Sequence, residues 1–113
     1  MDVIYYEDSA GKVPVRDFID CLEPKMKAKV FARLSLLETY GARLPMPYAK
    51  HVGDGIYELS TPQGSNITRL LYFFFSGDRA IVTNGFLKKT MRTPRREIEK
   101  AKKMRSDWKE RHE

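Results

Sequence analysis

Asn66-Ile67-Thr68-Arg69-Leu70-Leu71-Tyr72-Phe73-Phe74-Phe75 carries six consecutive apolar or aromatic residues, Leu70 to Phe75, directly after one arginine. A run this short and this rich in aromatic residues reads as a central β-strand covered on at least part of both faces. Working outward, Gly55 to Thr61, Ile67 to Ser76 and Ala80 to Leu87 are three strand-like stretches. Two glycine-bearing turns separate them, Pro62-Gln63-Gly64-Ser65-Asn66 and Ser76-Gly77-Asp78, the second short enough for a tight hairpin.

Before these strands the period of the apolar residues is helical. Met26, Val30, Leu34 and Leu37 recur three and four apart from Pro24 to Tyr40, and Gly41 stands at the C-cap position. Pro14 to Leu22, with Val15, Phe18 and Leu22, gives a shorter helix. Val3-Ile4-Tyr5-Tyr6 is a short strand closed by the turn-forming Glu7 to Gly11, and Arg43-Leu44-Pro45-Met46-Pro47 is an extended connector. After the last strand, Thr93-Pro94 offers an N-cap and a first-turn proline. Ile98, Ala101, Met104 and Trp108 then form a narrow apolar stripe on a helix over about residues 94–112. The expected order is β-α-α-β-β-β-α. This is an α+β domain spanning 1–113, in which two N-terminal helices lie on a mainly antiparallel sheet as two layers.

Composition bounds the class. At 113 residues and 42% hydrophobic, the chain suits one domain with its own core. A single cysteine, Cys21, leaves no intramolecular disulfide framework and reads as a small buried hydrophobe, and no Cys/His cluster suggests zinc. The longest apolar run falls far short of the ~20 residues that cross a bilayer. The opening MDVIYYEDS lacks a basic region followed by an apolar one, so no secretory signal is expected, and a cytoplasmic protein without a membrane partner is. The net charge of +6 is localised: residues 1–87 carry ten basic and ten acidic groups, residues 88–113 eleven and five. A neutral body with a basic C-terminal end is a footprint for a polyanion, or else a solvated helix face.

The order of elements and several local sequences resemble the RelE/ParE superfamily of type II toxins, in its phage-derived HigB-like branch. The resemblance rests on Leu44-Pro45-Met46-Pro47-Tyr48-Ala49-Lys50-His51, on Gly55-Ile56-Tyr57-Glu58-Leu59, on Asn66 to Phe74 with Arg69 opening the apolar strand, and on Gly85-Phe86-Leu87-Lys88-Lys89-Thr90 followed by Thr93-Pro94-Arg95-Arg96-Glu97-Ile98-Glu99-Lys100-Ala101. Two positions depart from the family's pattern: Ser60, where arginine is frequent, and Asn84, where histidine is. The resemblance implies a RelE-like fold and a toxin held by a cognate antitoxin, of helix-turn-helix type and encoded adjacently. Freed, it would act as a ribosome-dependent endoribonuclease on mRNA. The alternative within the same fold is a non-nucleolytic, ParE-like binding toxin, such as a gyrase inhibitor, or an inactive phage relic.

Metal-independent RNA cleavage needs a base for the 2′-hydroxyl, a cation for the phosphorane and an acid for the leaving 5′-oxygen. No cofactor or metal is called for. Arg69 is the first candidate for the cation, because a planar, permanently charged fork suits phosphate; its structural alternative is an ion pair with Glu58 on the neighbouring strand. Glu58 is itself a candidate base. Lys88 and Lys89 follow a strand and precede the basic helix, where either can face the sheet. His51 is a candidate acid or base, the other histidine, His112, falling in a tail that reads as disordered. Lys50, Arg92, Arg95, Arg96, Lys102 and Lys103 are candidate RNA contacts. Tyr72 and Phe86 are candidates for stacking on a base, or else core residues.

Overall fold

The computed structural model describes residues 1–88 and 92–113 of the chain. Its elements are β1 (Asp2–Tyr5), α1 (Pro14–Asp20), α2 (Pro24–Tyr40), a 3-10 turn (Gly41–Arg43), β2 (Ala49–Gly53), β3 (Ile56–Gln63), β4 (Asn66–Phe75), β5 (Arg79–Leu87) and α3 (Arg95–His112). The fold is α+β. Its single sheet runs β1-β5-β4-β3-β2, with β1 parallel to β5 and every other pair antiparallel.

The aromatic run predicted as the central strand is β4, in the middle of the sheet. Successive side chains on a strand point to opposite faces, so Leu70 and Tyr72 join one core while Leu71, Phe73 and Phe75 join another. The first core is closed by Val15 and Ile19 of α1 and by Met26, Val30, Leu34 and Leu37 of α2, the four residues whose spacing marked that helix. The second is closed by Ala101, Met104 and Trp108 of α3. Helices therefore cover both faces, and the architecture has three layers rather than the expected two.

Three further details differ from expectation. The connector does not run loose to Gly55: Ala49–Gly53 forms the edge strand β2 on β3. Lys50 and His51 are exposed and show no apolar alternation, so backbone pairing rather than a sequence pattern makes this strand. Cys21 is exposed at the C-cap of α1. The C-terminal segment is helical through His112, whose ring stacks on Trp108 at a centroid distance of 3.6 Å. Gly41 does cap α2, with φ 55°, and its N–H donates to the Leu37 carbonyl. Among the described residues no helix is long and apolar enough to cross a membrane.

Candidate functional site

Strand register decides which candidates meet. Glu58 on β3 lies opposite Leu71 on β4 and Lys50 on β2, and Leu71 lies opposite Asn84 on β5. One row over, Arg69 lies between Ser60 and Phe86. Leu71 and Phe86 belong to the α3 core, so both rows occupy the α3 side of the sheet, with Lys88 just beyond the end of β5. The backbone continues the ladder there, the Lys88 N–H donating to the Ile67 carbonyl at 2.8 Å.

The centre of this group is a buried carboxylate. The Glu58 side chain is 0% exposed and its Oε1 forms an ion pair with the Arg69 guanidinium. Lys88 Nζ lies 3.5 Å from the same oxygen, its side chain 6% exposed. These Oε1 contacts are held by charge without hydrogen-bond alignment, and the buried Nε of Arg69 has no acceptor among the described residues. The other carboxylate oxygen, Oε2, accepts from the Thr93 hydroxyl. Two cations thus share one anion, so the cluster is net positive. Burial pulls the Lys88 ammonium's pKa below its ordinary value; the Glu58 carboxylate opposes that shift and Arg69 adds to it.

Thr93 is the residue that sequence reasoning assigned wrongly. Read as the α3 N-cap, it instead lends its hydroxyl to Glu58, while Pro94 occupies the cap position and no side chain caps the helix. Asn84, noticed only as a departure from the family pattern, fixes α3 from below. Its Nδ2 donates to the Glu97 carbonyl at 3.3 Å and to Glu97 Oε1 at 3.1 Å, and its Oδ1 accepts from Thr83 at 2.7 Å. A polar residue inside the apolar run of β5 was the available signal, since a buried amide needs partners.

The remaining candidates lie elsewhere. His51 pairs with Tyr57 across the ladder, and Tyr57 packs on the α1–α2 core. The imidazole is therefore on the opposite side of the sheet from Glu58, its ring 5.1 Å from that of Tyr57 and its Nε2 accepting from the Gly55 N–H at 3.1 Å. Tyr72 is on that opposite side too, 1% exposed and stacked on Tyr57 at 5.6 Å; burial raises its pKa. Phe86 is half-buried beside the cluster. Lys89 lies outside the described residues.

Along α3 much of the positive charge is already engaged. Lys102 Nζ bonds Asp54 Oδ2 at 2.8 Å, and Arg105 bonds the Asp54 carbonyl, so both staple the helix to the β2–β3 turn. The hydrogen bond to Asp54 raises the Lys102 pKa. Arg96 lies 3.6 Å and Lys100 3.5 Å from Glu97 Oε2. At the far end Tyr6 donates to Asp107 at 2.6 Å, and Arg111 bonds Asp107 at 2.8 Å. Arg92 and Arg95 line a cavity of about 460 Å³ beside Lys102 and the β2–β3 turn. Lys103 is exposed and forms no ion pair among the described residues.

Compared with known proteins, residues 17–106 match the family described as phage derived protein Gp49-like (DUF891). No curated protein matches the chain significantly.

Proposed function

Because the chain belongs to the phage-derived Gp49-like family, a RelE/toxin-like family, we propose that it is the toxin of a toxin–antitoxin pair and that it cleaves mRNA on the ribosome without metal. The observation that carries this reading is the convergence of Arg69, Lys88 and Glu58 on one side of the sheet, next to Lys50 and Phe86.

Each member has a role in phosphodiester cleavage. Arg69, pre-oriented by Glu58, meets the charge that develops on the phosphorane. Lys88, whose burial lowers its pKa and so makes the ammonium a better acid, delivers a proton to the leaving 5′-oxygen. Glu58 is the base. The Thr93 hydroxyl now donates to its Oε2 as a ribose 2′-hydroxyl would before deprotonation, so RNA enters by exchanging one O–H donor for another. The exposed cations of α3 hold the phosphate backbone without reading its sequence. A cognate antitoxin of helix-turn-helix type, encoded adjacently, silences the toxin in the cytoplasm by covering this positive surface.

A second reading has its own observation. Glu58 is enclosed, and the one histidine on the sheet, His51, is on the other side; both favour a toxin or phage relic that binds its target without cleaving RNA. Induced expression followed by mapping of mRNA 5′ ends separates the two. Cleavage within translated frames, lost together with growth inhibition in Arg69→Ala, supports the nuclease, since removal of one such donor costs about 10²–10³ in rate. Intact mRNA beside arrested growth supports the binder, and full toxicity in a folded Arg69→Ala protein overturns the assignment of Arg69.

A further inference from the structure

The side of the molecule away from Arg69 carries its own feature. On α2, Lys25, Lys29, Arg33, Leu36 and Tyr40 are spaced four, four, three and four apart, which places them on one strip of the helix surface. The strip faces outward: Lys25, Lys29 and Tyr40 are exposed and Arg33 and Leu36 half-buried, while Met26, Val30, Leu34 and Leu37 take the buried side. It is polarised along its length, basic toward the helix start and apolar toward its end.

The apolar end opens into a groove. Leu36, Tyr40, Leu44, Pro45 and Tyr48 line a cavity of about 330 Å³. A second cavity of about 210 Å³ adjoins it through Leu44 and runs beneath Met46. Tyr40 is 47%, Met46 69% and Tyr48 36% exposed, an apolar cluster larger than a scatter of single surface residues. The Arg33 guanidinium lies over the Tyr48 ring at 4.5 Å from its centroid, joining the two halves of the strip.

On α3 the positive charge is only partly engaged, Lys103 and Lys109 being exposed with no ion pair among the described residues. Lys100, Lys102 and Arg111 each contact a carboxylate of their own helix or its neighbours. Lys25, Lys29, Arg33 and Arg43 contact none among the described residues, although Glu23 and Glu38 belong to the same part of the chain. Four cations without anions among the described residues, beside an apolar groove, are half of a complementary pair.

We propose that this strip is the docking surface for a partner protein, which lays an amphipathic helix along α2. The helix would be about 23 Å long, the length of the strip at 1.5 Å per residue. Its apolar residues fill the Tyr40–Tyr48 groove, with one large side chain as the anchor, and its Asp or Glu residues meet Lys25, Lys29 and Arg33. The groove, which takes an aliphatic anchor, favours a helix over RNA, and the charge match favours an acidic helix over a second copy of this chain, whose own strip is equally basic. The surface is independent of the Arg69 cluster, so a partner seated there leaves that cluster uncovered.

The test selects 18-residue helical peptides from a displayed library against the full-length protein. The expected winners carry acidic residues at one end and an apolar stripe at the other, and bind at least tenfold more weakly to Arg33→Glu and to Tyr40→Asp than to wild type. Lys109→Glu, on α3, binds them like wild type. A thermal melt of each variant checks folding, and Lys29→Glu replaces any variant that fails it. Absence of enrichment, enrichment of basic or uncharged peptides, or equal binding by the variants overturns the proposal. So does a wild-type dimer in light scattering that Tyr40→Asp converts to monomer, or an RNA oligonucleotide that displaces the selected peptides.

Discussion

Replacing Glu58 by Gln keeps the shape of the side chain and leaves an oxygen for the Thr93 hydroxyl, yet removes the one anion that, among the described residues, pairs with both Arg69 and Lys88. The carboxylate is fully enclosed, and the cations are 14% and 6% exposed at the side chain, so water compensates little. At 3.5 Å the gross attraction between Lys88 and Glu58 is about 5 kcal/mol at an effective dielectric constant of about 20, before desolvation is counted. Breaking a buried pair by deleting one partner costs about 3–5 kcal/mol. That is a large part of a total stability of roughly 5–15 kcal/mol. The loss also depends on pH. Burial already places the folded-state pKa of Lys88 below its ordinary 10.5. The unfolded chain then binds more protons than the native one between those two values, so stability rises with pH through that window and falls as pH drops through the folded pKa. Without Glu58, which raises it, the pKa of Lys88 drops further, the window widens downward, and neutral Lys88 relieves the repulsion from Arg69. Urea unfolding followed by far-UV circular dichroism, at about pH 7 and about pH 9.5, measures both effects. The variant should lose about 3–5 kcal/mol at the lower pH and distinctly less at the higher. A loss below about 1 kcal/mol, or the same loss at both pH values, refutes the account of a carboxylate that holds two buried cations together.

Trp108→Ala should cost about 3–5 kcal/mol in the same urea experiment, because the indole is the largest anchor of α3 and meets Phe75 edge-on at 6.1 Å. Gly85→Ala should cost about 1–3 kcal/mol, since a Cβ there would sit 2.5 Å from Phe18 Cδ2 and 2.7 Å from Leu70 Cδ2; an unchanged melting temperature would show that α1 stands further from β5. Lys103→Glu with Lys109→Glu should leave the melt within about 0.5 kcal/mol of wild type. The same pair should weaken ribosome association and flatten its salt dependence, and unchanged pull-down across a salt series would make these charges a solvated face.

The parts of this fold readable in sequence are those whose signal is local. The aromatic run of β4, the strands beside it and the Met26–Leu37 periodicity each state a period and a buried side within one segment. The edge strand β2 states neither, because it exists through the backbone of β3. The separation of the candidate residues was hidden for the same reason. Lys50 and His51 are neighbours in sequence, yet their register with Glu58 and Tyr57 sends one to each side of the sheet. A pair of Arg69 with Glu58 could be anticipated from adjacent strands; the third and fourth members, Lys88 and Thr93, come from beyond β5 and become partners only when the ladder and α3 are in place.

The parallel pairing of β1 with β5 imposes an order in time. Asp2 faces Arg79 and Tyr5 faces Val82, so the first of the five strands to be made has no strand neighbour until the last has been made. The β3–β4–β5 meander closes through short turns and can form early, whereas β1 must wait through a long loop closure. Lys88 and Thr93 emerge later still. A nascent chain therefore assembles its sheet from the middle outward and completes the charged cluster only after β5 has been made. A chain truncated before residue 88 would keep Arg69 and Glu58 but lack both groups that enclose the carboxylate.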